Sequence, residues 1–153
     1  MTNKIKFVHT NLIAKDWKRL AQFYIDVFDC VPVYPERELE GGWIDRITKI
    51  PNVTINGIHL QLPGFQDGPT LEIFQYSPES ATDNNPVIND PGFSHIAFHV
   101  DNVEEVLQRL IVHGGQAYGE LIEKEFAGIG LLRVIYATDL EGNIIEIQNW
   151  RKD

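Results

Sequence analysis

Three scarcities frame this chain of 153 residues: one cysteine, one methionine and a shortage of cations, with 13 Lys and Arg against 22 Asp and Glu. A single thiol, Cys30, cannot close an internal disulfide, so a disulfide scaffold is excluded. It sits near the end of an amphipathic pattern, with no His or Asn nearby in a recognisable nucleophile arrangement, and reads as a packed core residue. A net charge of −9 argues against a nucleic-acid partner, whose phosphates call for clustered Lys and Arg. No apolar run approaches the roughly 20 residues needed to span a bilayer, and "MTNKIKFVHT" has no apolar core of signal-peptide length. The expected setting is reducing and cytoplasmic, with no membrane partner.

Apolar residues are nonetheless plentiful, at 43%, enough for a sizeable core. Their pattern repeats at long period. "KIKFVHTNLIAKDWKRLAQFYIDVFDC" runs from a strand carrying His9 into a helix with Trp17, Leu20, Tyr24, Val27 and Phe28 at helical spacing. "GFSHIAFHVDNVEEVLQRLIVHGGQ" repeats the order with His95, then Asp101 as expected N-cap, then Val103, Val106, Leu107, Leu110 and Ile111 on one face, ending at Gly114 and Gly115. Each half closes on a similar strand, "PTLEIFQY" with Glu72 and "NIIEIQNW" with Glu146. The extra length of the first half falls in "PERELEGGWIDRITKIPNVTING". The predicted fold is α+β, two tandem βαβββ modules forming a single domain over 1–153. Module one spans about 4–77, module two about 93–150, and a turn-rich linker at about 78–92 joins them. Curved sheets packed together would hide the open face each half exposes and enclose one metal-binding cavity.

The repeat pairs His9 with His95 and Glu72 with Glu146. Alternation along a strand puts His95 on one face with Ala97 and His99, Glu72 with Phe74 and Tyr76, and Glu146 with Ile144, Gln148 and Trp150. Two carboxylates in an apolar cavity cost several kcal/mol each without a counter-charge, and a divalent cation removes that cost. Two imidazoles and two carboxylates suit Zn, Ni, Co, Mn or Fe(II) without distinguishing among them.

These motifs resemble the vicinal oxygen chelate superfamily, which comprises glyoxalase, bleomycin-resistance and extradiol dioxygenase proteins. The resemblance covers the whole chain and rests on "FVHTNLI", "LEIFQY", "GFSHIAFHVDNVEEVLQRL" and "TDLEGNIIEIQNW", the last bearing Asp139, Gly142, Asn143 and Glu146. It implies metal ligands at His9, Glu72, His95 and Glu146, a set like that of glyoxalase I, and a homodimer as the assembly. It also implies Glu146 as principal catalytic base with Glu72 as its partner, moving a proton next to a carbonyl of a small vicinal-oxygen substrate in a lyase or isomerase reaction. Ile13 stands where glyoxalase I often carries an Arg, and Phe74, Gln75 and Tyr76 stand near an often-found Asn, so glutathione is disfavoured as substrate. Two other readings stay open: a non-catalytic antibiotic-type binding protein and an Fe(II) dioxygenase.

Candidate pocket residues are His59, Gln61, Phe74, Tyr76, His99 and Trp150, with Trp43 and Phe126 as further aromatic walls. His59 is also an alternative ligand in a dioxygenase-like site. His99 lies two residues beyond His95, about 6.6 Å along the strand, too far to share its ion. Lys124 and Arg133 are more simply solvated surface residues than anion ligands, and His113 suits a helix end.

Overall fold

The computed structural model describes residues 3–83 and 85–152. Contacts divide the chain into two compact units, Met1–Thr82 and Asp83–Asp153, and each carries a four-stranded sheet.

In the first unit the order is β1 (His9–Ile13), α1 (Trp17–Phe28), β2 (Val31–Glu40), α2 (Gly42–Thr48), β3 (Thr54–Gln61) and β4 (Thr70–Ser77). The second runs β5 (His95–His99), α3 (Val103–Val112), β6 (Gln116–Phe126), β7 (Gly130–Thr138) and β8 (Ile144–Arg151). The sheets are ordered β1-β4-β3-β2 and β5-β8-β7-β6, so the first and last strand of each module pair in parallel and the rest antiparallel. The tandem βαβββ reading describes this architecture. The register even breaks at the same place, between Val33 and Arg37 on β2 and between Tyr118 and Ile122 on β6.

α1 begins where Asp16 accepts a hydrogen bond from the Arg19 N–H and ends at Asp29, which takes a left-handed conformation. Its apolar stripe is buried: Trp17, Leu20, Tyr24, Val27 and Phe28 are all at most 8% exposed. The Trp17 N–H donates to Gln75 Oε1, which places α1 over the β4 face that carries Leu71 and Ile73. Cys30, just past the helix, is buried as expected, and burial pushes its thiol pKa up to about 12, with Asp29 adding to the effect.

Three expectations shift by small distances. The cap of α3 is Asn102, which accepts from the Glu105 N–H, and not Asp101; the adjacent residues are both good caps, and helical dihedrals start at Val103. Only Val103 and Leu110 of its stripe are fully buried, and Ile111 is 43% exposed. β1 starts at His9 and not within "KIKFV", because its parallel partner β4 itself starts at Thr70, the residue paired with His9. The end of α3 follows expectation. Gly114 has φ +98°, and the N–H groups of Gly114 and Gly115 donate to Ile111 and Leu110, closing the helix in a Schellman motif.

The extra residues of module one hold α2. It packs Ile44 against Val53, Ile55 and Phe74, a small apolar cluster on the face of the sheet away from α1. No helix among the described residues is long and apolar enough to cross a membrane.

Candidate metal centre

Strand pairing brings the polar residues of unit one together. Antiparallel β3 and β4 set His59 opposite Glu72 and Gln61 opposite Thr70. Parallel β1 sets Asn11 beside Glu72 and His9 beside Thr70. All lie on the face away from α1, because Leu71 and Ile73, which alternate with Glu72, are fully buried on the other side.

There His59 Nε2 is 2.7 Å from Glu72 Oε2, and His9 Nε2 is 3.5 Å from Glu72 Oε1. Asn11 Nδ2 donates to Glu72 Oε1 at 2.9 Å, and His59 Nδ1 lies 2.8 Å from Thr70 Oγ1. The His9 and His59 rings meet edge to face at 5.4 Å between centroids. Glu72 is only 9% exposed, and among the described residues no lysine or arginine comes within ion-pairing distance of it. Burial holds the His59 pKa below its ordinary value against the opposing pull of Glu72.

One donor atom from each of His9, His59 and Glu72 lies within 4.8 Å of the other two. Bonds of about 2.1 Å to nitrogen and oxygen place neighbouring donors roughly 3.0–3.4 Å apart, which the 3.5 Å between His9 Nε2 and Glu72 Oε1 nearly meets, while the 2.7 Å between His59 and Glu72 is a hydrogen-bond distance. The donor set fits the ion.

Unit two repeats the pair with less around it. His95 Nε2 is 3.7 Å from Glu146 Oε2, and Gln148 Nε2 donates to the same oxygen at 3.3 Å. β7 sets Tyr136 opposite Glu146, where module one has His59, and its ring meets His95 at 5.1 Å. Ser94 Oγ lies 3.2 Å from His95 Nδ1. Asp139 of the "TDLEGN" motif, 4% exposed, accepts from the Glu141 N–H, the Asn143 N–H and Asn143 Nδ2. Its work is to tie the turn that delivers β8, and Glu146 with it, to β7.

The remaining candidates separate. Phe74 is buried in the cluster under α2, and Tyr76 packs against that cluster with its phenol pKa raised by burial and then by Glu72. Gln61 lies on the His59 face, with a buried Nε2 that has no hydrogen-bond partner among the described residues. His99 is exposed at the end of β5 beside Gln148. Trp150 meets Phe126 at 5.5 Å, and Trp43 is half exposed. Lys124 is exposed. Arg133 bridges Glu104 and Glu123 on the α3 side of its sheet, so it is spent on acids of its own unit. His113 is also exposed, 2.8 Å through Nδ1 from the Arg109 carbonyl oxygen at the end of α3. Asn11 and Thr70 were missed from sequence; their signal was a shared strand face, Asn11 with His9 and Thr70 with Glu72.

Paired modules of this topology, each presenting a histidine and a glutamate on one sheet face, define the class of protein. Residues 6–147 match the family model for the Glyoxalase/Bleomycin resistance protein/Dioxygenase superfamily, and the chain belongs to that family. Solved structures agree on the fold. A glyoxalase family protein from Bacillus cereus is 17% identical with a TM-score of 0.84, covering 99% of this chain and 97% of that one. A glyoxylase/bleomycin resistance protein/dioxygenase domain from Frankia is 16% identical with a TM-score of 0.61, covering 97% and 100%. The genomically encoded fosfomycin resistance protein FosX from Listeria monocytogenes is 18% identical with a TM-score of 0.58, covering 100% and 95%. No curated protein matches the chain.

Proposed function

We propose that this protein is a divalent-metal-dependent enzyme that moves a proton next to a carbonyl of a small vicinal-oxygen substrate, a lyase or isomerase of the glyoxalase type. His9, Glu72, His95 and Glu146 are its metal donors and Glu146 its principal base. The observation that carries the reading is the His9–His59–Glu72 group: a nearly buried carboxylate whose ion-pairing neighbours among the described residues are two imidazoles. Bound there, the ion would supply Lewis-acid polarisation of the substrate carbonyl.

The protein residues have distinct parts. Glu72 and His9, with His95 and Glu146, would hold the ion. Glu146, with one long hydrogen bond from Gln148, keeps lone pairs open to accept a proton and return it. Phe74, whose ring meets His59 edge to face at 6.4 Å between centroids, makes the Glu72 side of unit one apolar. The setting we propose is a cytoplasmic homodimer.

The test is a panel of 2-oxo and 2-hydroxycarbonyl compounds incubated in D2O with metal-loaded protein and followed by proton NMR. Loss of the C–H signal adjacent to the carbonyl, abolished by added chelator, is the expected result. Absence of exchange across the panel in metal-loaded protein would sink the reading.

A second reading has its own observation. Two histidines and one glutamate are the donor types of a facial Fe(II) site, and the matching superfamily includes dioxygenases by its description. Turnover that needs iron and dioxygen would favour the dioxygenase form of the site.

A further inference from the structure

We propose that Asn11, His59 and Thr70 form a clamp that positions the Glu72 carboxylate for the divalent ion, and that His59 acts as a positioning residue and not as a ligand. The inference rests on the metal reading above and extends it to residues outside the four proposed donors.

Each oxygen of Glu72 is engaged by a different hydrogen-bond donor. Asn11 Nδ2 takes Oε1 at 2.9 Å, and His59 Nε2 takes Oε2 at 2.7 Å. At that distance the two are hydrogen-bonded, and an ionised carboxylate only accepts, so Nε2–H is the donor we assign. His59 Nδ1 is then the acceptor, and the Thr70 hydroxyl, 2.8 Å away, donates to it. The chain Thr70 Oγ1–H to His59 Nδ1, then Nε2–H to Glu72 Oε2, fixes both the tautomer and the ring plane. With two strands gripping it, the carboxylate cannot rotate, and a lone pair on Oε1 stays turned toward His9 Nε2 at 3.5 Å. Holding a ligand in place before the ion arrives removes an ordering cost from binding.

The second module is the internal control. By strand register, Ala97 occupies the place of Asn11, Tyr136 that of His59, and Ile144 that of Thr70. All three clamp residues are missing there at once, and among the described residues Glu146 has the 3.3 Å hydrogen bond from Gln148 beside the 3.7 Å approach of His95 Nε2. The clamp therefore belongs to Glu72, and Glu146, the carboxylate proposed to move protons, lacks it.

The test uses the full chain with Co2+ as the probe, reading both affinity and the visible spectrum, with Thr70→Val, Thr70→Ser and Asn11→Ala. Thr70→Val and Asn11→Ala should each weaken Co2+ binding about 10- to 100-fold, while the spectrum keeps its band positions because the ligands are unchanged. Thr70→Ser restores the hydroxyl and should bind within about twofold of the parent chain. In metal-free protein, 15N NMR should place the His59 proton on Nε2. Parent-like affinity in both Thr70→Val and Asn11→Ala, or a proton on Nδ1, overturns the clamp. So does a His59→Gln protein whose Co2+ spectrum is altered, since that makes His59 a ligand. A variant that fails to fold is replaced in the comparison by the parent chain's NMR result, which decides alone. The two readings fail separately: a protein that binds Co2+ with the predicted variant pattern but exchanges no substrate proton loses the proposed activity and keeps the clamp.

Discussion

The first and second modules share strand order, parallel closure and even the position of a register shift, yet they differ at the residues that surround their glutamates. Around Glu72 stand His59, Asn11 and His9; around Glu146 stand Tyr136, Ala97 and His95. One scaffold used twice thus sets two carboxylates in different surroundings, one held between Asn11 and His59 and nearly buried, the other more open. The difference teaches that the fold fixes where a histidine and a glutamate meet, while the cross-strand neighbour decides how firmly the glutamate is held.

The comparison breaks most visibly at the glutamates. Glu146→Gln should lower turnover by about 100- to 10,000-fold with the metal still bound, whereas Glu72→Gln should first weaken metal retention. Steady-state rates on samples of measured metal content separate the two, and parent-like turnover in the metal-bound Glu146 variant would contradict its role as base.

Next comes packing on β3. A Cβ on Gly57 would sit 2.0 Å from the Ile73 carbonyl oxygen and 2.6 Å from the Phe74 ring, while the register equivalent in module two is Val134. Gly57→Val should therefore cost about 3 kcal/mol of stability through overpacking. Val134→Ala should cost about 1 kcal/mol. Urea unfolding measures both, and equal costs would show that the two sheets tolerate bulk alike.

A smaller effect is expected at the β7–β8 turn. Asp139→Ala leaves the N–H groups of Glu141 and Asn143 without their carboxylate acceptor and should cost about 2 kcal/mol. The β3–β4 connection of module one, at 62–69, is longer and has no such aspartate at its start.

The smallest effect concerns Cys30. Its thiol is held above the ordinary range, at about 12, by burial, so the folded chain keeps the proton that an unfolded chain begins to lose near 9.0. The sign follows: this contribution to stability is present below about pH 9 and fades as pH rises toward 12. At pH 8 a thiol reagent should label the native chain far more slowly than the urea-unfolded chain, and equal rates would place Cys30 at the surface.

Much of this architecture was legible before any coordinates. Helical spacing of Trp17, Leu20, Tyr24, Val27 and Phe28 and the glycines after α3 mark the two long helices, and alternation around Glu72 and Glu146 marks the closing strands. α2 was not legible, since seven residues starting at Gly42 carry too little periodicity to register as a helix. Nor was the partnership of His59 with Glu72, because cross-strand register depends on how β3 and β4 are offset through the connection at 62–69. His59 lacked a symmetry mate in the sequence for a physical reason: its register partner in module two is Tyr136, a different side chain in the same place.

The most direct measurement is metal content by mass spectrometry on protein purified without chelator, for the parent chain, His9→Ala and Glu72→Ala. The account predicts a stoichiometric divalent ion in the parent and its loss from both variants. A parent chain without metal, or both variants retaining it in full, would contradict the claim that His9 and Glu72 are ligands of the ion.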